Sequence, residues 1–244
     1  MPMPRLAALV PLLAACAAAH ADPGYYVLSS YGLAPGTSSA ELRYWTVKPR
    51  GEPERIWPEL GIGHAVSSRW STLLLASFIG SSNLHVRSSL WSWQNNLQLT
   101  QGEWPVDLAL HANLIRPAER ANGHTLEFGP LLQTDVGRVQ LNANLLFERR
   151  FGADAPRPTQ LKYQWQFRHR WRAQLHWGLQ GFGELGEWDH WAPRDRQSHR
   201  GGPALFASLP LSPGVTLKTH AALLIGSTYR DHGRMLSLRM ACEF

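Results

Sequence analysis

Cysteine is almost missing from this chain: two occur in 244 residues, Cys16 and Cys242, and the first lies in a leader-like N-terminus. A chain left with one thiol after processing has no internal disulfide framework. Charge is scarce as well. Charged residues make up 17% against 44% hydrophobic, below the ~25% charge usual in soluble domains and too apolar for a disordered chain. Past the N-terminus no apolar run reaches the ~20 residues of a spanning helix. There is no G-x-S-x-G, no phosphate loop and no H-E-x-x-H. These absences argue against a disulfide scaffold, a helical membrane protein and the motif-bearing hydrolases, and the expectation is a protein that is not an enzyme and takes no cofactor and no metal.

At the N-terminus, Arg5 precedes an apolar stretch from Leu6 to Ala19, and Ala19-His20-Ala21 is a small-x-small cleavage site. That reads as a signal peptide over residues 1–21. Leu13-Ala14-Ala15-Cys16 offers a competing parse as a lipoprotein cleavage box, with Cys16 as the acylated residue, and it stays open behind the ordinary cleavage before Asp22. Residues 22–38 then form an N-terminal periplasmic segment, and residues 39–244 the main domain.

In that domain, segments of about ten residues alternate apolar and polar positions and are separated by turn residues. They fall at 39–48, 56–67, 70–80, 83–99, 106–115, 124–135, 138–151, 159–169, 171–185, 202–211, 215–227 and 234–244. In the last of them Leu236, Leu238, Met240, Cys242 and Phe244 share one face, and Ser237, Arg239, Ala241 and Glu243 the other. Elsewhere the polar face carries Gln140, Asn142, Asn144, Lys162, Gln164, Arg168 and His176. Burying such groups unpaired in a dry core costs several kcal/mol each, so water reaches that face. Connections also sort by parity. Those after even-numbered segments are short, and most of those after odd-numbered ones are long and polar, "GEWDHWAPRDRQSHRG" (186–201) being the longest and the three-residue "SSN" after the third segment the exception. This is the organisation of an all-β transmembrane antiparallel β-barrel of about twelve strands, in the bacterial outer membrane.

The eleven tryptophans suit interfacial girdles, with Trp70, Trp104 and Trp171 by the short turns and Trp45, Trp57, Trp188 and Trp191 by the long loops. The terminal Phe244 resembles the signature read by the barrel-assembly machinery, which makes it a candidate assembly signal. Lumen-lining candidates are Lys162, Arg168, Arg172, His176, Lys218 and Arg239, facing Asp107, Glu127, Glu148 and Glu184. Such pairs either bridge a narrow lumen shut or line a solute path. Gly178, Gly181 and Gly183 relieve crowding in a wall rather than cradle phosphate.

The net charge of +6 sits largely in loops, at Arg116, Arg120, Arg157, Arg194, Arg196, Arg200, Arg230 and Arg234. In an exported barrel it points to outer-membrane lipid and lipopolysaccharide phosphates as partners, and not to nucleic acid. Asp189, His190, Asp195 and His199, with His220 or His232, have metal-ligating chemistry but no closed-site spacing. Ser198-His199 is a poor catalytic pair, because neighbours on a strand face opposite ways.

The run "QWQFRHRWRAQLHWGLQGFGELGEWDHWAPRDRQSHRGGPALFASLPL" (164–211), with "ELRYW" and "EFGPLLQ" upstream, resembles a family of uncharacterised exported proteins of Gram-negative bacteria. These are distantly similar to phenol-degradation-pathway (MetA-type) outer-membrane transporters. The resemblance covers residues 39–244, implies a barrel, and carries no catalytic residues. The expected function is a passive channel or transporter for an unknown small solute. A non-conducting structural or sensory barrel is the alternative, and a surface lipid-modifying enzyme stands behind both.

Overall fold

The computed structural model describes residues 26–30, 32–49, 53–81, 84–152, 158–228 and 231–244. The leader with Cys16, and the loop cations Arg157 and Arg230, lie outside these residues, as does the side chain of Arg120. Twelve strands follow in sequence: β1 (Ser38–Pro49), β2 (Arg55–Ala65), β3 (Trp70–Ser81), β4 (Leu84–Gln98), β5 (Asp107–Pro117) and β6 (His124–Val136), then β7 (Val139–Phe151), β8 (Gln160–His169), β9 (Leu175–Glu187), β10 (Ser198–Ser212), β11 (Val215–Thr228) and β12 (Asp231–Glu243). Each pairs antiparallel with its sequence neighbours, and β1 pairs β12, so the sheet is a closed barrel. The fold expected from alternation is the fold observed.

Alternation decides which face each side chain takes. In β5 the residues Asp107, Ala109, His111, Asn113 and Ile115 are buried, while Leu110 and Leu114 between them are exposed. The outer surface carries Leu60, Ile62, Leu74, Trp91, Leu145, Leu205, Leu223 and Ile225, all exposed. A contiguous apolar surface of this extent far exceeds the few hundred Å² that soluble monomers tolerate, and it is the lipid-facing belt of a transmembrane barrel.

Closure explains why the chain runs in register to its end. Pairing of β1 with β12 extends from Ser39 opposite Glu243 to Pro49 opposite Gly233. The Phe244 N–H donates to Ser38 O at 2.9 Å and the Ser38 N–H to Phe244 O at 2.8 Å. Leu236, Met240 and Phe244 are exposed outward, whereas Ser237 and Ala241 are buried, as the two faces of the last segment predict.

The connections depart from the parity expectation in three places. β11 and β12 continue to Thr228 and from Asp231, so the expected loop "YRDHGR" is mostly strand. β10 begins at Ser198, four residues before the expected start at 202, which shortens the longest loop to 188–197. The β4–β5 connection, expected to be a tight turn, is long and organised. Asp107 Oδ1 accepts from Thr100 Oγ1 (3.1 Å) and from the Gly102 N–H (2.6 Å), and Arg69 pairs with Glu103 at 3.1 Å. The Gln101 N–H and the N–H of Glu103 itself, with Arg69 alongside, hold the exposed Glu103 carboxyl below the usual range. The alternation ends cleanly on either side of this segment, but periodicity carries no information about how a non-periodic stretch folds on itself.

Candidate functional site

The inward faces of the strands form a lumen divided into distinct clusters. On one wall, Glu41 of β1 accepts from Arg239 of β12 at both oxygens (Nε 3.0 Å, NH2 2.6 Å) and from Arg43 Nε at 3.0 Å. β1 and β12 are the closing pair, so this three-residue network straddles the seam where the barrel joins. On the opposite wall, Lys162 of β8 lies 2.5 Å from Glu148 and 4.0 Å from Glu127, and His111 Nε2 is 3.5 Å from Glu127. His111 Nδ1 is in turn 2.6 Å from Asn96 Oδ1.

The lumen is not empty between these walls. Residues Tyr26–Ser30 run inside it, with Tyr26 and Ser30 buried. Tyr26 Oη donates to Leu238 O at 2.8 Å, and its ring takes the Arg43 guanidinium at 5.1 Å and the edge of His220. Across the barrel, the Leu28 N–H donates to Gln164 Oε1 at 3.0 Å, and Asn144 Nδ2 donates to Leu28 O at 2.9 Å and to Gln164 Oε1 at 3.0 Å. Ser29 Oγ donates to Gln133 Oε1 at 3.0 Å, which also accepts from Asn142. The segment is no part of the sheet, so wall amides, rather than a strand ladder, supply partners for its backbone at Leu28. The side chain of Leu28 packs on Ala109, Leu131 and Leu146. Residues 22–38 were expected to form a periplasmic segment. Within them, residues 26–30 run in the lumen, and no strand periodicity marks that stretch.

Apolar side chains fill a second part of the lumen. Tyr26, Trp45, Trp57, Phe182, Phe206, Leu224 and Met235 form one buried cluster, and the Trp45 and Trp57 rings stack at 4.0 Å. These two tryptophans were expected in the loop-side girdle. They face inward because Trp45 shares the parity of Glu41 and Arg43, and Trp57 that of Glu59; closeness to a strand end says nothing about the face. Trp70, Trp104, Trp171, Trp188 and Trp191 are exposed, consistent with girdle positions.

Of the lumen candidates, Lys162, Glu127, Glu148 and Arg239 fall in the two charged clusters just described. Arg168 donates to His176 Nδ1 at 2.8 Å and lies 4.9 Å over the Phe206 ring. Lys218 pairs with Glu243 at 2.7 Å, with half of its side chain exposed. Glu184 is on the inward face of β9, opposite Lys162 and Ser198 in register. Asp107 is inward but serves the β4–β5 connection. Arg172 does not line the wall: β9 begins at Leu175, and the Arg172 guanidinium lies 4.4 Å over Trp171 in the β8–β9 connection. Arg200, expected in a loop, is buried on the inward face of β10. Residues not singled out from sequence are Glu41, Arg43, Glu59, Arg200 as a lumen group, and Tyr26. The first three were accessible to the same parity argument in "AELRYW" and "WPELG".

Neither catalytic nor metal chemistry assembles from the remaining candidates among the described residues. Ser198 points inward and donates to Ser227 O at 3.0 Å, while His199 faces outward against Tyr163 Oη at 2.8 Å. No three His, Cys, Asp or Glu side chains converge as a metal site there. The glycines of β9 act as expected: the Trp165 and Tyr163 rings lie over Gly181 and Gly183, where a Cβ would collide with them.

A small cavity of about 20 Å³, partly open, remains beside the internal segment, lined by Tyr26, Leu28, Arg43, Glu59, Gln94 and Glu127 among others.

No protein-family model matches the sequence, and no curated protein does. Solved structures do match. The NanC porin is 10% identical, with 84% of this chain and 98% of that one aligned at a TM-score of 0.59. The KdgM porin is 8% identical over 82% and 97%, at 0.54. An outer-membrane channel from Pseudomonas putida F1 is 15% identical over 91% and 99%, at 0.60. At these identities the likeness establishes architecture: this chain shares its barrel fold with bacterial outer-membrane channels.

Proposed function

We propose that this protein is a narrow passive channel of the outer membrane for small solutes, its lumen restricted by its own residues 26–30. The observation that carries the reading is a closed barrel with an apolar outer belt and an inward face of Lys, Arg, Glu, Asn and Gln, a pairing of surfaces suited to lipid outside and water inside. The fold shared with NanC, KdgM and the Pseudomonas channel supports it. Export through a cleaved leader, insertion guided by the Phe244 end, and contact of outward loop-side cations such as Arg116 and Arg234 with lipopolysaccharide phosphates belong to the same reading. So does the MetA-type transporter link.

A second reading rests on the internal segment itself. Tyr26–Ser30 bonded to both walls, with Trp45 and Trp57 beside it, is also what a non-conducting structural or sensory barrel would contain. Planar-bilayer recording of the refolded chain from Asp22 separates the two. The channel reading expects small, discrete steps. Silence from a heat-modifiable, correctly folded barrel would favour the second.

A further inference from the structure

We infer that the cavity beside residues 26–30 is a binding site for a small monovalent ammonium; the inference rests on the channel reading for its route of access only, and concerns the solute that site would hold. Two carboxylates reach the cavity from different walls, Glu59 of β2 and Glu127 of β6. Glu59 is 3% exposed, takes a hydrogen bond from Ser77, and its Oε2 has no hydrogen-bond partner. Among the described residues no cation lies within ion-pair distance of it. Arg43, the guanidinium sharing the cavity, stands opposite Glu59 in register and acts on it through space, while its ion pair goes to Glu41 at 2.9 Å and its face to Tyr26. Glu127 is weakly served: Lys162 is 4.0 Å away and bound to Glu148 instead, and His111 stands at 3.5 Å.

A buried carboxylate short of donors is costly, and a cation bearing N–H groups is the species that relieves it. The remaining lining suits a short hydrocarbon on that cation, because Leu75 and Leu90 are buried. A quaternary ammonium has no N–H to give Glu59, and an anion meets two carboxylates against the one guanidinium of Arg43, which is already paired with Glu41. The site therefore discriminates by charge sign and by donor count.

The test is calorimetric titration of methylammonium chloride into the refolded, detergent-folded chain, with tetramethylammonium chloride and sodium chloride as matched controls. Expected is saturable binding of methylammonium alone, weakened about tenfold or more by Glu59→Gln and by Glu127→Gln, as loss of one charge-assisted bond implies. Heat-modifiable migration confirms that each variant is folded, and if Glu59→Gln does not fold, Glu127→Gln carries the comparison. Absence of saturable binding to the folded chain overturns the inference, as would affinity unchanged in both variants or equal binding of sodium; a Glu59 that simply holds a proton gives the first of these. Binding by a barrel that is silent in bilayers leaves the site standing and removes the channel reading. Conduction without binding does the reverse.

Discussion

A mature chain truncated to begin at Tyr31 is expected to fold to the same heat-modifiable barrel and to conduct ions with a unit step several-fold larger than that of the chain from Asp22. The strand ladder starts at Ser38 and closes on β12, so truncation removes no strand pairing. What it removes is the Leu28 contact with Ala109, Leu131 and Leu146, together with hydrogen bonds to Leu238, Gln164, Asn144 and Gln133. Burial of one leucine side chain is worth ~1.5–3 kcal/mol, and each hydrogen bond adds about 0.5–1.5 kcal/mol net. The truncated barrel is therefore less resistant to urea but still closed. Its lumen gains the volume of the segment and of the Tyr26 ring, and the freed amides of Gln133, Asn144 and Gln164 turn to water. Equal conductance in both forms would mean that ions pass where the segment is not.

Gly129→Ala and Gly202→Ala are each expected to abolish folding or nearly so, a larger effect on stability than any charged lumen substitution. Both glycines face inward on a curved wall. A Cβ at Gly129 would penetrate the carbonyl oxygen of Leu145 on β7, and one at Gly202 that of Leu223 on β11. The obstacle in each case is backbone held on its far side, Leu145 by Tyr163 of β8 and Leu223 by Leu236 of β12, so relief requires moving a strand rather than turning a side chain. Overpacking usually costs ~1–3 kcal/mol, and an immovable neighbour puts these sites at or above the upper end. The folded fraction after refolding into lipid vesicles, read from heat-modifiable migration across a urea series, checks this. Gly102 offers the contrast, since a Cβ there meets nothing within 4 Å and its φ of +86° makes the substitution a local conformational strain only.

The barrel was legible because period-two alternation fixes both the strand and its face. In β12 Leu236 and Met240 face lipid and Ser237 and Ala241 the lumen, as read from eleven residues of sequence. The charged pairing of Lys162 with Glu148 follows from the same rule, since inward residues on paired strands meet. The rule fails where the period stops. Residues 26–30 have no strand partner, and the groups that hold them are side chains of β6, β7 and β8 and the Leu238 carbonyl of β12, over a hundred positions away in the case of Gln133 and Gln164. Trp45 and Trp57 were misplaced by their distance from a strand end, a criterion that alternation overrides. Arg172 and Arg200 changed places with respect to the wall because β9 starts later and β10 earlier than turn residues suggested.

The central claim is that residues 26–30 occupy the lumen of the folded barrel, and proximity of Ser29 to Gln133 tests it most directly. In a Cys242→Ser background, cysteines at positions 29 and 133 are offered a short bifunctional thiol reagent after refolding into vesicles. The 3.0 Å contact between the native side chains predicts an intramolecular bridge that alters migration of the heated protein, while a control pair at Ser29 and the outward-facing Leu205 stays unbridged. A folded barrel with no bridge between 29 and 133 would place the segment outside the lumen and contradict the account.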